Sequence, residues 1–188
     1  MIASIIPTTA AGNKLPLLLH ERSDEASYIN LAPLLLANLN ALAFDFVVRQ
    51  KVQSTSMNWY IVEQLPVLRE TDFELKIGRR KAAEIVRDHV LRLVYTARDL
   101  KPFARDMGHA GAPFRWDPEE RRHLRARLDA LFFRLYGLDE EAAGYVLDSF
   151  PIVREADEAA FGNYRTKATI LAYMKALAAG DSESRVST

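Results

Sequence analysis

The densest run of apolar positions lies in residues 31–66, and the rest of the chain is read around it. Over residues 34–51, at 3.6 residues per turn, Asn38, Asp45 and Arg49 share one narrow stripe while nearly every other position is apolar. That pattern predicts a helix buried around most of its circumference, with Asp45 and Arg49 spaced to pair at a half-wet boundary. At about 18 residues the run reaches the length of a membrane span. Asn38, Asn40 and Asp45 stand inside it, and a charge at mid-bilayer costs about 2.5 to 3.5 kcal/mol, so a core helix is expected and no membrane. A polar loop, Gln53-Ser54-Thr55-Ser56-Met57-Asn58, and a short strand over 59–62 complete the stretch.

Upstream, Ser4-Ile5-Ile6-Pro7 and Leu15-Pro16-Leu17-Leu18-Leu19 flank a turn-like segment, which predicts a strand hairpin with 59–62 as a third strand. A chain opening on so few strands is expected to be the tail of a longer, β-containing protein. From Lys76 onward no strand is expected. Residues 77–100 carry Ile85, Val86, Val90, Leu93, Val94 and Ala97 at helical spacing, with Arg79, Arg80 and Lys81 in a basic first turn. The helix dipole disfavours cations there unless an anion answers them, so these three are either phosphate partners or a solvated cap paired with Glu84 and Asp88.

Pro102 is expected to end that helix, and residues 107–113 read as a loop. Asp117 then N-caps a helix, with Pro118 first and Glu120 closing a capping box, and Gly137 stops it. Its apolar face is Leu124, Leu128, Leu131, Phe132 and Leu135, with Arg121, Arg122, Arg125 and Arg127 mostly outward. Asp139 caps another short helix, Phe150-Pro151 breaks it, and a last helix runs from about Tyr164 to Gly180, followed by a polar tail expected to fray. The expected architecture is mainly α with a small β element (α+β). Short strands pack on the buried helix in residues 1–70, a helical subdomain covers 71–180, and a disordered tail covers 181–188.

Hydrophobic residues at 49% and charged residues at 27% are those of an ordinary globular chain. The absence of cysteine excludes a disulfide scaffold or a thiolate metal site and fits a cytoplasmic setting. Net charge is zero, so nucleic-acid binding has to come from a local patch. His20, His89, His109 and His123 lack metal-ligand spacing, and His89 and His123 read as polar-face helix residues. Glu119-Glu120 and Glu140-Glu141 stand in first helical turns, where acids serve the dipole. Without a phosphate-binding glycine loop or a GxSxG elbow, residue chemistry alone supports no catalytic site. The loop at 53–58, flanked by Arg49 and Lys51, offers amides and hydroxyls suited to phosphates and base edges, and equally suited to an ordinary turn.

Several stretches resemble the C-terminal region of large bacterial adenine-N6 DNA methyltransferases of the type IIG restriction–modification kind and related phage-defence methylases. Leu35-Leu36-Ala37-Asn38-Leu39-Asn40 and Phe44-Asp45-Phe46-Val47-Val48-Arg49-Gln50-Lys51-Val52 are similar to that family's LLANLN and FDYVARQKV. Met57-Asn58 with Glu63-Gln64-Leu65-Pro66 resembles its GGT-S/H-L/M-N and EQLP, with Gln53 and Ser54 standing where the family has paired glycines. Tyr95-Thr96-Ala97-Arg98-Asp99-Leu100, Pro113-Phe114-Arg115-Trp116-Asp117, Leu135-Tyr136-Gly137-Leu138, Phe150-Pro151-Ile152-Val153 and Tyr164-Arg165-Thr166-Lys167 resemble later motifs in the same order.

The resemblance covers almost the whole chain and implies a recognition region that follows a methyltransferase domain on one polypeptide. Methyl transfer from S-adenosylmethionine in that family needs an NPPY-type motif and a cofactor loop, neither of which occurs here, so the fragment is expected to be catalytically silent and the cofactor to belong to the parent enzyme. The expected partners are double-stranded DNA and the N-terminal methyltransferase part. Arg49, Lys51, Gln53, Thr55, Ser56 and Asn58 are the candidate DNA contacts, with Arg79, Arg80 and Lys81 on phosphates. The alternative is a helical docking module that meets the rest of the enzyme or a partner subunit through aromatics such as Phe103, Phe114 and Trp116.

Overall fold

The computed structural model describes residues 2–7, 17–19, 25–52 and 58–187, the side chains of 25–27 excepted. The described residues are mainly helical with one small sheet. In order come α1 (Glu25–Asn40), α2 (Leu42–Lys51), α3 (Trp59–Val62), β1 (Lys76–Ile77), β2 (Arg80–Lys81), α4 (Ala82–Val94), α5 (Lys101–Asp106), α6 (Pro118–Leu135), α7 (Glu140–Asp148), α8 (Pro151–Phe161) and α9 (Arg165–Ala178). Single 3-10 turns at Glu70–Glu74 and Arg98–Leu100 join some of them.

The long apolar helix is broken. Ala41 is extended (φ −69°, ψ 138°), and α1 and α2 meet at 64°. Two long-range contacts hold the break. Asp129 Oδ1 on α6 accepts from the Leu42 N–H at 2.8 Å, so α2 is capped from 87 residues away. Asn40 donates to the carbonyls of Leu36 and Ala3 and accepts from the Ala3 N–H. No single helix among the described residues is long and apolar enough to cross a membrane. The Asp45–Arg49 pair forms as the spacing predicts, at 2.8 Å. Asn38, by contrast, is buried: it donates to Tyr136 Oη at 2.8 Å and accepts from the Leu68 N–H at 3.0 Å, while Tyr136 Oη donates to Pro66 O.

The strands lie elsewhere than expected. Residues 4–7 and 17–19 are in no strand, the rest of the predicted hairpin falls outside the described residues, and 59–62 is a helical turn. Asn58 O accepts from both Ile61 N and Val62 N, so Ile61 turns inward while Trp59 and Tyr60 face out. The antiparallel pair instead sits at β1 and β2, with Lys76 opposite Lys81 and Ile77 opposite Arg80. Gly78 makes the turn at φ +58°, and a Cβ there would lie 2.3 Å from Gly180 O, so two backbones meet where no side chain fits. Arg79 to Lys81 therefore precede α4 rather than opening it.

Pro102 starts α5 instead of ending a helix, because its missing N–H and fixed φ suit a first turn. Pro151 does the same for α8, a helix that the sequence pattern left out. Asp117 accepts from Glu119 N and Glu120 N, and Asp139 from Ala142 N, as helix N-caps. α6 is the central element. It packs along α9 and against α4 and α2, while α1 lies on α4, and α7 and α8 lie on α9. One buried cluster runs from Leu34 and Phe44 through Phe73, Ile85 and Phe132 to Ile170 and Leu177. His89 and His123 are buried within this packing rather than on a polar face, His123 Nδ1 lying 2.8 Å from Tyr173 Oη.

Candidate nucleic-acid interface

The last turn of α2 follows its helical period. Val48 points into the core, while Arg49 and Lys51 face solvent. Arg49 is committed locally: its Nε donates to Asp45, and its guanidinium lies 4.8 Å from the centre of the Phe150 ring. Lys51 is exposed. Gln53, Thr55 and Ser56 lie outside the described residues. On the far side of that segment Asn58 is exposed, and its side chain makes no capping bond to α3. Trp59 and Tyr60 follow, 56% and 62% exposed. A cation, an amide and two aromatic rings are thus exposed on the two chain segments that flank residues 53–57.

The second basic group is differently disposed. Arg79 is exposed at the hairpin turn. Arg80 NH1 meets Glu183 Oε1 at 3.1 Å and its NH2 donates to Glu84 O. Lys81 Nζ pairs with Glu74 at 2.6 Å, which holds the ammonium above its ordinary pKa. The sequence-based cap partners were the carboxylates of Glu84 and Asp88. The answering acids are Glu74 and Glu183, because a hairpin rather than a helix presents the cations. α2 packs on α6 and α7, whereas the hairpin packs on α4, so the two basic groups belong to different parts of the bundle.

The arginines of α6 are similarly engaged. Arg121 stacks 3.7 Å from the Trp116 ring centre and donates to Leu93 O at 2.7 Å. Arg122 and Arg165 converge on Glu119 Oε1 at 2.5 and 2.7 Å, and the Arg122 hydrogen bonds lead in pulling the Glu119 carboxyl down to about 2. Arg127 NH2 donates to the carbonyls of Glu183 and Ser184. Of the four arginines read as outward, Arg125 is exposed as expected, whereas Arg121, Arg122 and Arg127 are tied to neighbouring segments.

Of the aromatics expected at a docking surface, Phe103 is buried in the core, and Phe114 is partly covered, stacked on His109 at 4.9 Å. Trp116 alone of the three is largely open. Sequence reasoning missed Trp59 and Tyr60 as surface groups, since a strand would send Trp59 and Ile61 to one side. Asn58 just before them, a residue type that opens helices, was the available signal.

A shallow hollow of about 360 Å³ is lined by Ile29, Asn30, Arg87, Asp88, Leu91, Asp106 and Met107, and another of about 540 Å³ by Phe46, Leu138, Asp139, Glu141, Ala142, Tyr145 and Val146. Among the described residues no three His, Asp or Glu side chains gather at metal-binding range. Comparison with protein-family models, with curated proteins and with solved structures gave no match.

Proposed function

We propose that this chain is the C-terminal, non-catalytic part of a cytoplasmic restriction–modification adenine-N6 DNA methyltransferase, and that it contacts duplex DNA along the edge formed by the end of α2 and the start of α3. The ordered motifs support the parentage. The carrying observation for the contact is the exposure of Lys51, Asn58, Trp59 and Tyr60 on the two flanks of residues 53–57. An ammonium meets a phosphate, a carboxamide meets a base edge, and an open aromatic ring stacks on an unpaired base for about 1–3 kcal/mol. Such an edge steadies DNA while a methyltransferase domain turns an adenine out of the helix. The methyl donor belongs to that domain, and nothing here acts on it.

A second reading, docking against the N-terminal part or a partner subunit, draws on the pairing of Arg80 and Lys81 within the chain and on the exposure of Tyr145 and Ile152. The chain has two tryptophans, so a W116F variant leaves Trp59 as the sole indole reporter. Adding a random-sequence duplex at low salt is expected to quench its fluorescence, with K51Q and N58A shifting the titration to higher DNA concentration. An emission spectrum indifferent to DNA would sink the DNA contact and leave docking.

A further inference from the structure

Two guanidinium groups from different elements converge on one residue near the end of the chain. Arg80 of β2 holds the Glu183 carboxylate at 3.1 Å, and Arg127 of α6 holds the Glu183 carbonyl at 3.2 Å and that of Ser184 at 2.8 Å. The segment expected to fray lies across the bundle here. Ser182 is buried, Val186 packs against the core, and Arg185 lies 3.8 Å from Glu120. Asp181 Oδ1 accepts from the N–H groups of Glu183 and Ser184, both at 2.9 Å, so residues 181–184 form a self-bonded turn. Gly180, at φ +80° and against Gly78, begins this turn. The carboxylate end is the loose one, with the Glu183 side chain 72% exposed.

We infer that residues 181–186 are a displaceable strap over a phosphate site, in which Glu183 occupies the place of a DNA phosphate between Arg80 and Arg127. A carboxylate and an adjacent carbonyl present oxygen acceptors to two guanidinium groups, and a phosphodiester supplies acceptors of the same kind with a full negative charge. An exposed ion pair is held weakly enough for a polyanion to displace it. This rests on DNA being the partner, and gives Arg80 the phosphate role suggested by the sequence, but only with the strap lifted.

The test is fluorescence anisotropy of the full 188-residue chain with a labelled duplex across a salt series. E183Q, which keeps the shape and removes the charge, is compared with E155Q, which makes the same charge change at an exposed position on α8. E183Q is expected to tighten binding about two- to fivefold over E155Q, the range an exposed ion pair spans, and to steepen the slope of log K on log salt by about 0.9. Adding R80Q to E183Q should cancel both gains. Equal behaviour of E183Q and E155Q, or indifference to R80Q, overturns the strap. The K51Q variant separates the two proposals: if it weakens binding while E183Q does nothing special, the edge stands and the strap falls. If E183Q tightens binding while K51Q is neutral, the strap stands and the edge falls. Absence of binding by every variant overturns both.

Discussion

At the scale of single residues, buried polar groups explain more than the exposed ones. Burial pushes the Asp129 carboxyl up to about 7, and the Leu42 N–H bond and the Arg125 charge offset only part of that. A folded-state pKa above the unfolded value means stability fully present below about pH 4 and lost as pH rises through 7. Asp129→Asn keeps an oxygen acceptor for Leu42 and cannot ionise. Its stability relative to the wild type is therefore expected to improve steadily from pH 4 to pH 8, by roughly 2 to 4 kcal/mol in urea unfolding. A flat difference across that range would show the carboxyl to be unperturbed.

Glu119 has the opposite sign. Held at about 2 by Arg122 first and Arg165 after it, it stabilises above its ordinary value of 4.5 and loses that contribution as pH falls towards 2. E119Q should raise the pH midpoint of acid unfolding. Asn38→Ala leaves the Leu68 N–H and Tyr136 Oη without their partner and is expected to cost about 2–3 kcal/mol. What was legible at this scale was local: the i, i+4 pair of Asp45 with Arg49, and the Asp117 and Asp139 caps. Asn38 and Asp129 were not, because their partners lie 98 and 87 residues away and no periodicity carries that information.

Among the elements, proline and glycine decide where the pattern misleads. Pro102 and Pro151 look like breakers in one dimension, yet each begins a helix, so one extended helix became two and α8 went unread. The expected strand at 59–62 failed because four residues satisfy either period, and the Asn58 carbonyl chose the helical one. The β element was foreseen in kind and misplaced in position, since two-residue strands carry no alternation. Gly78 is the most exacting position. Gly78→Ala puts a Cβ at φ +58° and against Gly180 O, and a loss of about 2 kcal/mol or more in stability is expected, read as a lowered thermal midpoint. Because Gly78 and Gly180 touch, the same variant should also speed amide exchange at Glu183 and Ser184. Unchanged exchange there would mean that hairpin and strap are independent.

For the whole molecule, charge is balanced, and part of it is drawn into internal ion pairs. The chain carries 25 basic and 25 acidic residues, and the ion pairs of Arg80, Lys81, Arg122 and Arg165 draw on both. DNA affinity of this part alone should therefore be modest and strongly salt-dependent, resting on few phosphates. Three of the motifs that resemble methyltransferase tails meet here, since Asn38, Pro66 and Tyr136 share one hydrogen-bonded junction, and a fourth is tied to the end of α7, where Lys167 pairs with Asp148 and Tyr164 donates to Leu147 O. Those residues hold the helical body together, so the proposed DNA contact does not draw on them.

The most direct measurement is the salt dependence of duplex binding by the 188-residue wild-type chain, followed by anisotropy from 20 to 200 mM salt. Binding that weakens with a log–log slope of about −1 to −3, as expected for one to three phosphate contacts, is the predicted result. A chain that ignores duplex DNA at the lowest salt contradicts the account.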